Sequence, residues 1–257
     1  MNLEAKVGLA AACLFLGMLV CAEIGRRIGA ARLVRDTKEL PRGVAATDAA
    51  LLSLLGLLIA FTFSGAASRF ENRRTLISTE AIAIRTAYMR VDLLPADTQT
   101  ELRDLFRRYV DVRSTVYQQS EDQRLTDKKV AEGEALQKAI WSKVLAACRR
   151  PETPSQASLL IPALNDMVDI TITRATATQS HPPIIVFVLL SVLSLIGALL
   201  LGYGTSSSTN RSWLHMLAFA AILSLTVYVI IDLEYPRLGL IRVDSADQIL
   251  MDLRKSM

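Results

Sequence analysis

Apolar residues along this chain collect in four blocks, near residues 7–24, 49–66, 184–203 and 214–231, and none of the blocks contains Lys or Arg. Each is close to the roughly 20 residues that cross a ~30 Å hydrocarbon core as a helix. A Lys or Arg at the bilayer centre would cost at least about 2.5 kcal/mol, so their exclusion carries information. The pattern predicts an all-α chain with four transmembrane helices. It divides the sequence into residues 1–66 (spans 1 and 2 with a basic connecting loop, 25–43), 67–183 (an extramembrane helical insert), 184–231 (spans 3 and 4) and 232–257 (a charged C-terminal tail).

The stretch "LLIAFTFSGAASRFENRR", residues 57–74, is apolar and then densely charged. Gly65 is its only helix breaker, and an isolated glycine does not end a helix. The spacing therefore predicts one continuous helix from near Asp48, through the lipid and out to Leu94, where Pro95 stops it. Beyond the span, Ile77, Ile84 and Val91 recur at helical intervals beside Leu76, Ala83, Ala87 and Leu94. Thr98 with Glu101 reads as a capping box for a second helix, whose stripe is Leu102, Leu105, Phe106, Tyr109, Val112 and Val116. Val130, Gln137, Ile140, Trp141, Val144 and Cys148 mark a third, which ends at "RRPETPS". A fourth, from about Ser155, carries Leu160, Leu164, Met167, Val168 and Ile172 to the break at His181-Pro182-Pro183. The insert thus reads as a helical hairpin.

The chain is 51% hydrophobic and carries a formal net charge of +4, with acids interleaved among its bases. No nucleic-acid motif is present, and the basic residues suit helix ends at headgroups. The first block reads as a retained anchor rather than a cleaved signal, because Arg26 and Arg27 follow it directly. Six basic residues in 25–43 place that loop in the cytoplasm and the 67–183 insert on the periplasmic side. Cys13, Cys21 and Cys148 form no metal spacing, and no phosphate loop or nucleophile–base pair appears. The expectation is a non-enzyme with no cofactor and no metal.

Three groups could carry function. Small residues line span 2: Gly56, Ala60, Ser64 and Ser68. Such a face either packs against a neighbouring helix or lines the axis of a homo-oligomer. In the second case Leu57, Phe61, Ser64 and Ser68 are pore-lining candidates, an apolar constriction beside hydroxyls. Arg69, Arg73 and Arg74 follow at its mouth. They are either snorkelling anchors or, repeated by symmetry, an anion-attracting ring. Finally, His181, Asp232, Glu234 and Arg237 fall at the boundary of spans 3 and 4, as an interfacial cluster or as a solvated helix end.

The stretch from Gly56 to Pro95, with "LNDMVDITITRATATQSHPP" and "DLEYPRLGLIRV", resembles the bestrophin-like integral membrane proteins of bacteria, a family distantly similar to bestrophin anion channels. The resemblance implies a pentamer whose second span lines an apolar neck, here Leu57, Phe61 and Ser64, with Asp232 and Glu234 where bestrophins bind calcium. It also implies a cytoplasmic insert, the reverse of the charge-rule reading. Phe61 alone stands where bestrophin necks carry several aromatics. Two functions follow for a multi-pass protein of the bacterial inner membrane: a homo-oligomeric anion channel, or a non-conducting scaffold or accessory subunit whose insert docks a partner protein.

Overall fold

The computed structural model describes residues 3–35, 43–116, 123–150, 155–206, 213–236, 240–241 and 243–257. Among these the chain is helical and contains no strand. The helices are α1 (Leu3–Arg35), α2 (Gly43–Arg90), α3 (Ala96–Val116), α4 (Gln123–Cys148), α5 (Ala157–Gln179), α6 (Ile184–Gly204), α7 (Trp213–Glu234) and α8 (Asp244–Ser256). A single 3-10 turn, Val91–Leu93, joins α2 to Pro95. Four helical stretches are long and apolar enough to cross a membrane. Helix α2 passes Gly65 without interruption over 48 residues, about 70 Å of helix at ~1.5 Å per residue.

Helix α1 is longer than the apolar block that announced it. Residues 25–35, expected in a loop, continue the helix, and the rest of that basic connection (36–42) lies outside the described residues. Local charge pairing explains the continuation. Glu23 accepts from Arg26 Nη2 and from Arg27 Nε, each at 2.9 Å, one helical turn away.

The chain forms two compact units, residues 1–68 with 181–235 and residues 69–180 with 236–257. In the first, α1 packs against α6 and α7. Its buried core is Leu14, Met18, Ala22, Ala198, Met216, Ala220 and Val227. Glycines bring backbones together here. A Cβ on Gly202 of α6 would stand 2.7 Å from the carbonyl carbon of Ala22 in α1, and one on Gly25 would stand 2.9 Å from that of Leu199. Only a residue without a side chain permits that approach.

The second unit packs the outer half of α2 with α3, α4, α5 and α8 around Ile77, Ile84, Phe106, Tyr109, Ile140, Leu164 and Met167. Two local expectations change. The capping box does not form, because α3 begins at Ala96, ahead of Thr98. The Thr98 amide instead donates to Pro95 O, and Glu101 pairs with Lys143 at 2.5 Å. The C-terminal segment is also more than a charged tail. It holds α8, which buries Leu250 and Leu253 in this core and pairs Arg254 with Asp111 on α3 at 2.7 Å.

Candidate functional site

Leu57, Phe61, Ser64 and Ser68 recur at intervals of four, three and four residues, so they share one face of α2. All four are exposed. Phe61 is 68% exposed and Leu57 52%. Space beside Gly56 is open, since nothing lies within 4 Å of where its Cβ would be. The opposite side of α2 is the one that packs: Leu55 and Ala66 are buried, and the side chains of Leu52 and Leu55 lie over Gly197 of α6.

The hydroxyls differ in their partners. Ser53, Thr62, Ser191, Ser194 and Thr226 in the apolar helices each donate to the carbonyl four residues back, at 2.7–2.8 Å. This is how a hydroxyl satisfies itself where water is absent. Among the described residues, Ser64 and Ser68 make no such bond and have no other protein partner. Ser224 also lacks one, but it is buried inside its unit rather than facing outward.

The three arginines that follow take different positions. Arg69 is half-buried, and Arg74 is exposed with Glu71 3.7 Å away. Arg73 is buried and departs from the ring expected of it. Its Nε donates to Ala177 O at 3.0 Å and its Nη2 to Ser180 O at 2.8 Å. It therefore caps the carbonyl end of α5, where a cation also meets the negative end of the helix dipole.

At the other boundary, the structure brings His181 and Glu234 together across 53 residues of chain. His181 Nδ1 lies 3.5 Å from Glu234 Oε2, and its ring stacks on Tyr235 with centroids 4.8 Å apart and planes 25° from parallel. Asp232 and Glu234 are both buried. Arg237 lies outside the described residues. Among the described residues, no group of three His, Cys, Asp or Glu side chains is placed to hold a metal.

One buried polar group was not singled out from the sequence. Glu80 of α2 is fully buried and accepts from Arg113 Nε of α3 at 2.5 Å and from Arg174 Nη1 of α5. It lies 14 residues beyond the apolar stretch of α2 that ends at Ala66. Burial pushes its carboxyl upward, but the two guanidiniums outweigh burial and hold it below the ordinary carboxylate value. A signal did exist: Glu80 falls in phase with Ile77 and Ile84, a charge on an apolar stripe.

Residues 12–247 match the family described as Bestrophin-like domain. This chain belongs to the Bestrophin-like family. It is accordingly a multi-pass membrane protein, with four helices suited to crossing the bilayer. No curated protein matches it. Solved structures do. A bacterial bestrophin homologue from Klebsiella pneumoniae, in one point variant, aligns with TM-score 0.62 at 14% identity, covering 97% of this chain and 99% of the other. A second point variant of that homologue gives 0.64 at 14%, covering 98% and 97%. A crystal structure described only as a membrane protein gives 0.64 at 13%, covering 97% and 98%. At such identities these likenesses establish the shared fold of this Bestrophin-like chain.

Proposed function

We propose that this Bestrophin-like protein is an anion channel of the bacterial inner membrane, a homo-oligomer in which the second span lines the pore. The observation that carries the reading is the outward face of α2. Ser64 and Ser68 point away from the protomer with unused hydroxyls, beside an exposed Phe61 and Leu57. Against lipid, those hydroxyls would be expected to turn back to the helix; against a water-filled path they have partners. Phe61 then supplies an apolar constriction of the kind that gates by dewetting. Arg69 and Arg74, next along the same helix, favour anions over cations when symmetry repeats them. Arg73 belongs to the scaffold. A pentamer is the assembly the family resemblance implies, with residues 67–183 as the helical-hairpin insert outside the membrane.

A second reading, a non-conducting scaffold, draws on exposed apolar side chains outside the spans, notably Ile82, Met89 and Ile172. These suit a protein partner at the insert. The two readings separate in liposomes containing the purified protein. The channel reading predicts chloride flux that rises in Phe61→Ala, because removing the ring widens the constriction. A folded oligomer with no flux in either form supports the scaffold.

A further inference from the structure

A groove between α4 and α5 in the second unit has a volume of about 470 Å³, within the range of small-molecule sites. Trp141, Val168 and Ile172 make it largely apolar. Glu134 and Lys138 stand on its α4 wall and Asn165 on its α5 wall. At its inner end it meets a smaller chamber of about 140 Å³, floored by Tyr109 and Arg113. Gln137 closes the floor, donating to Tyr109 Oη at 2.8 Å and to Thr171 Oγ1 at 3.4 Å.

Two features are not explained by packing. Glutamate four residues before lysine is the favoured arrangement for a pair across one helical turn. Yet among the described residues Glu134 and Lys138 pair neither with each other nor with any other group, so both charges remain available to the groove. The second feature is Gly133, buried inside α4 and lining the inner chamber. Glycine is a poor residue for a helix interior. A Cβ there would meet Val112 Cγ1 at 3.7 Å and Arg113 Cδ at 3.9 Å, ordinary contacts, and its φ is negative. Neither sterics nor backbone conformation requires glycine, whereas an open chamber does.

We infer that the α4–α5 groove binds a hydrophobic amino acid: a small zwitterion whose ammonium meets Glu134, whose carboxylate meets Lys138, and whose apolar side chain lies against Trp141 and Ile172 with its tip toward the chamber beside Gly133. Opposite charges one turn apart on one wall suit a ligand carrying both charges. The apolar surface of Trp141, Val168 and Ile172 beside them selects a hydrophobic side chain. The inference stands apart from conduction and is tested without it.

Trp141 reports directly, because Trp213 is the only other tryptophan. In the full-length protein carrying Trp213→Phe, L-leucine is expected to change Trp141 emission saturably. Isoamylamine and 4-methylpentanoate, which each lack one charge, are expected to bind about tenfold more weakly or worse. Glu134→Gln and Lys138→Met, both surface changes that leave the core intact, are expected to weaken leucine by a similar factor. No saturable response to leucine overturns the inference. So does a response that both variants preserve unchanged.

Discussion

Replacing Gly202 with alanine is expected to push a pair of membrane helices away from each other. A Cβ at this position would lie 2.7 Å from the carbonyl carbon and 2.8 Å from the Cα of Ala22, and closer still to its carbonyl oxygen. All three are backbone atoms and cannot rotate aside. Ordinary contact begins at 3.4 Å, and the carbonyl oxygen, the nearest obstacle, demands a larger separation of α1 and α6 than the carbonyl carbon does; overpacking a tight seam in this way costs about 2 kcal/mol. That is a roughly 30-fold change in the folded-to-unfolded ratio. Helix association in lipid rests on close packing rather than on hydrophobic burial, so little else offsets the loss. The assay is reversible unfolding in mixed micelles followed by circular dichroism. Gly8→Ala in α1 is the control, because its Cβ would meet nothing within 4 Å. It should be neutral or slightly stabilising through helix propensity. Gly29→Ala should also destabilise relative to Gly8→Ala, since its Cβ would meet Ser206 Cβ at 2.6 Å and the backbone carbonyl oxygen of Tyr203 at 2.9 Å. A Gly202→Ala protein as stable as Gly8→Ala would refute the close-approach argument.

Other outcomes are expected. Glu80→Gln leaves Arg113 and Arg174 without the carboxylate they share and should destabilise the protein by about 3–5 kcal/mol in thermal or denaturant unfolding. Because Glu80 is held below its ordinary value of 4.5 in the fold, its contribution is present above that pH and is lost as pH falls through the folded value. Wild-type stability should therefore drop on acidification below about 4.5 more steeply than that of Glu80→Gln. Leu250→Ala, at a fully buried position of α8, should cost about 2–5 kcal/mol and raise hydrogen exchange in α8 first. For topology, a cysteine replacing Gln119, which lies outside the described residues, is placed in a variant lacking Cys13, Cys21 and Cys148. The charge rule predicts labelling by an impermeant thiol reagent on intact cells; labelling only after lysis gives the bestrophin-like orientation.

Much of the architecture was legible because lipid imposes a simple rule on sequence. Apolar blocks near the length of a span, free of Lys and Arg, mark helices α1, α2, α6 and α7. The passage of α2 through Gly65 was legible for a similarly local reason, the absence of any breaker before Pro95. Helix ends were harder. Arg26 and Arg27 look like the start of a loop, but pairing with Glu23 lets α1 carry them onward. Helix α8 escaped notice because it is only 13 residues long, and the packing of Leu250 and Leu253 is long-range information. Arg73, Arg69 and Arg74 look alike in sequence; only the fold shows that Arg73 reaches the end of α5. The proximity of His181 to Glu234 depends on the tertiary fold and leaves no spacing to read.

The central claim is that the exposed face of α2 borders an aqueous anion path, and the most direct measurement is block by a charged thiol reagent in chloride-conducting proteoliposomes. Ser64→Cys, on that face, is predicted to react rapidly and lose flux. Ile59→Cys, on the opposite side of α2, is predicted to conduct unchanged. Equal insensitivity of the two, with both proteins folded and conducting, would contradict the account by removing this face from the pore.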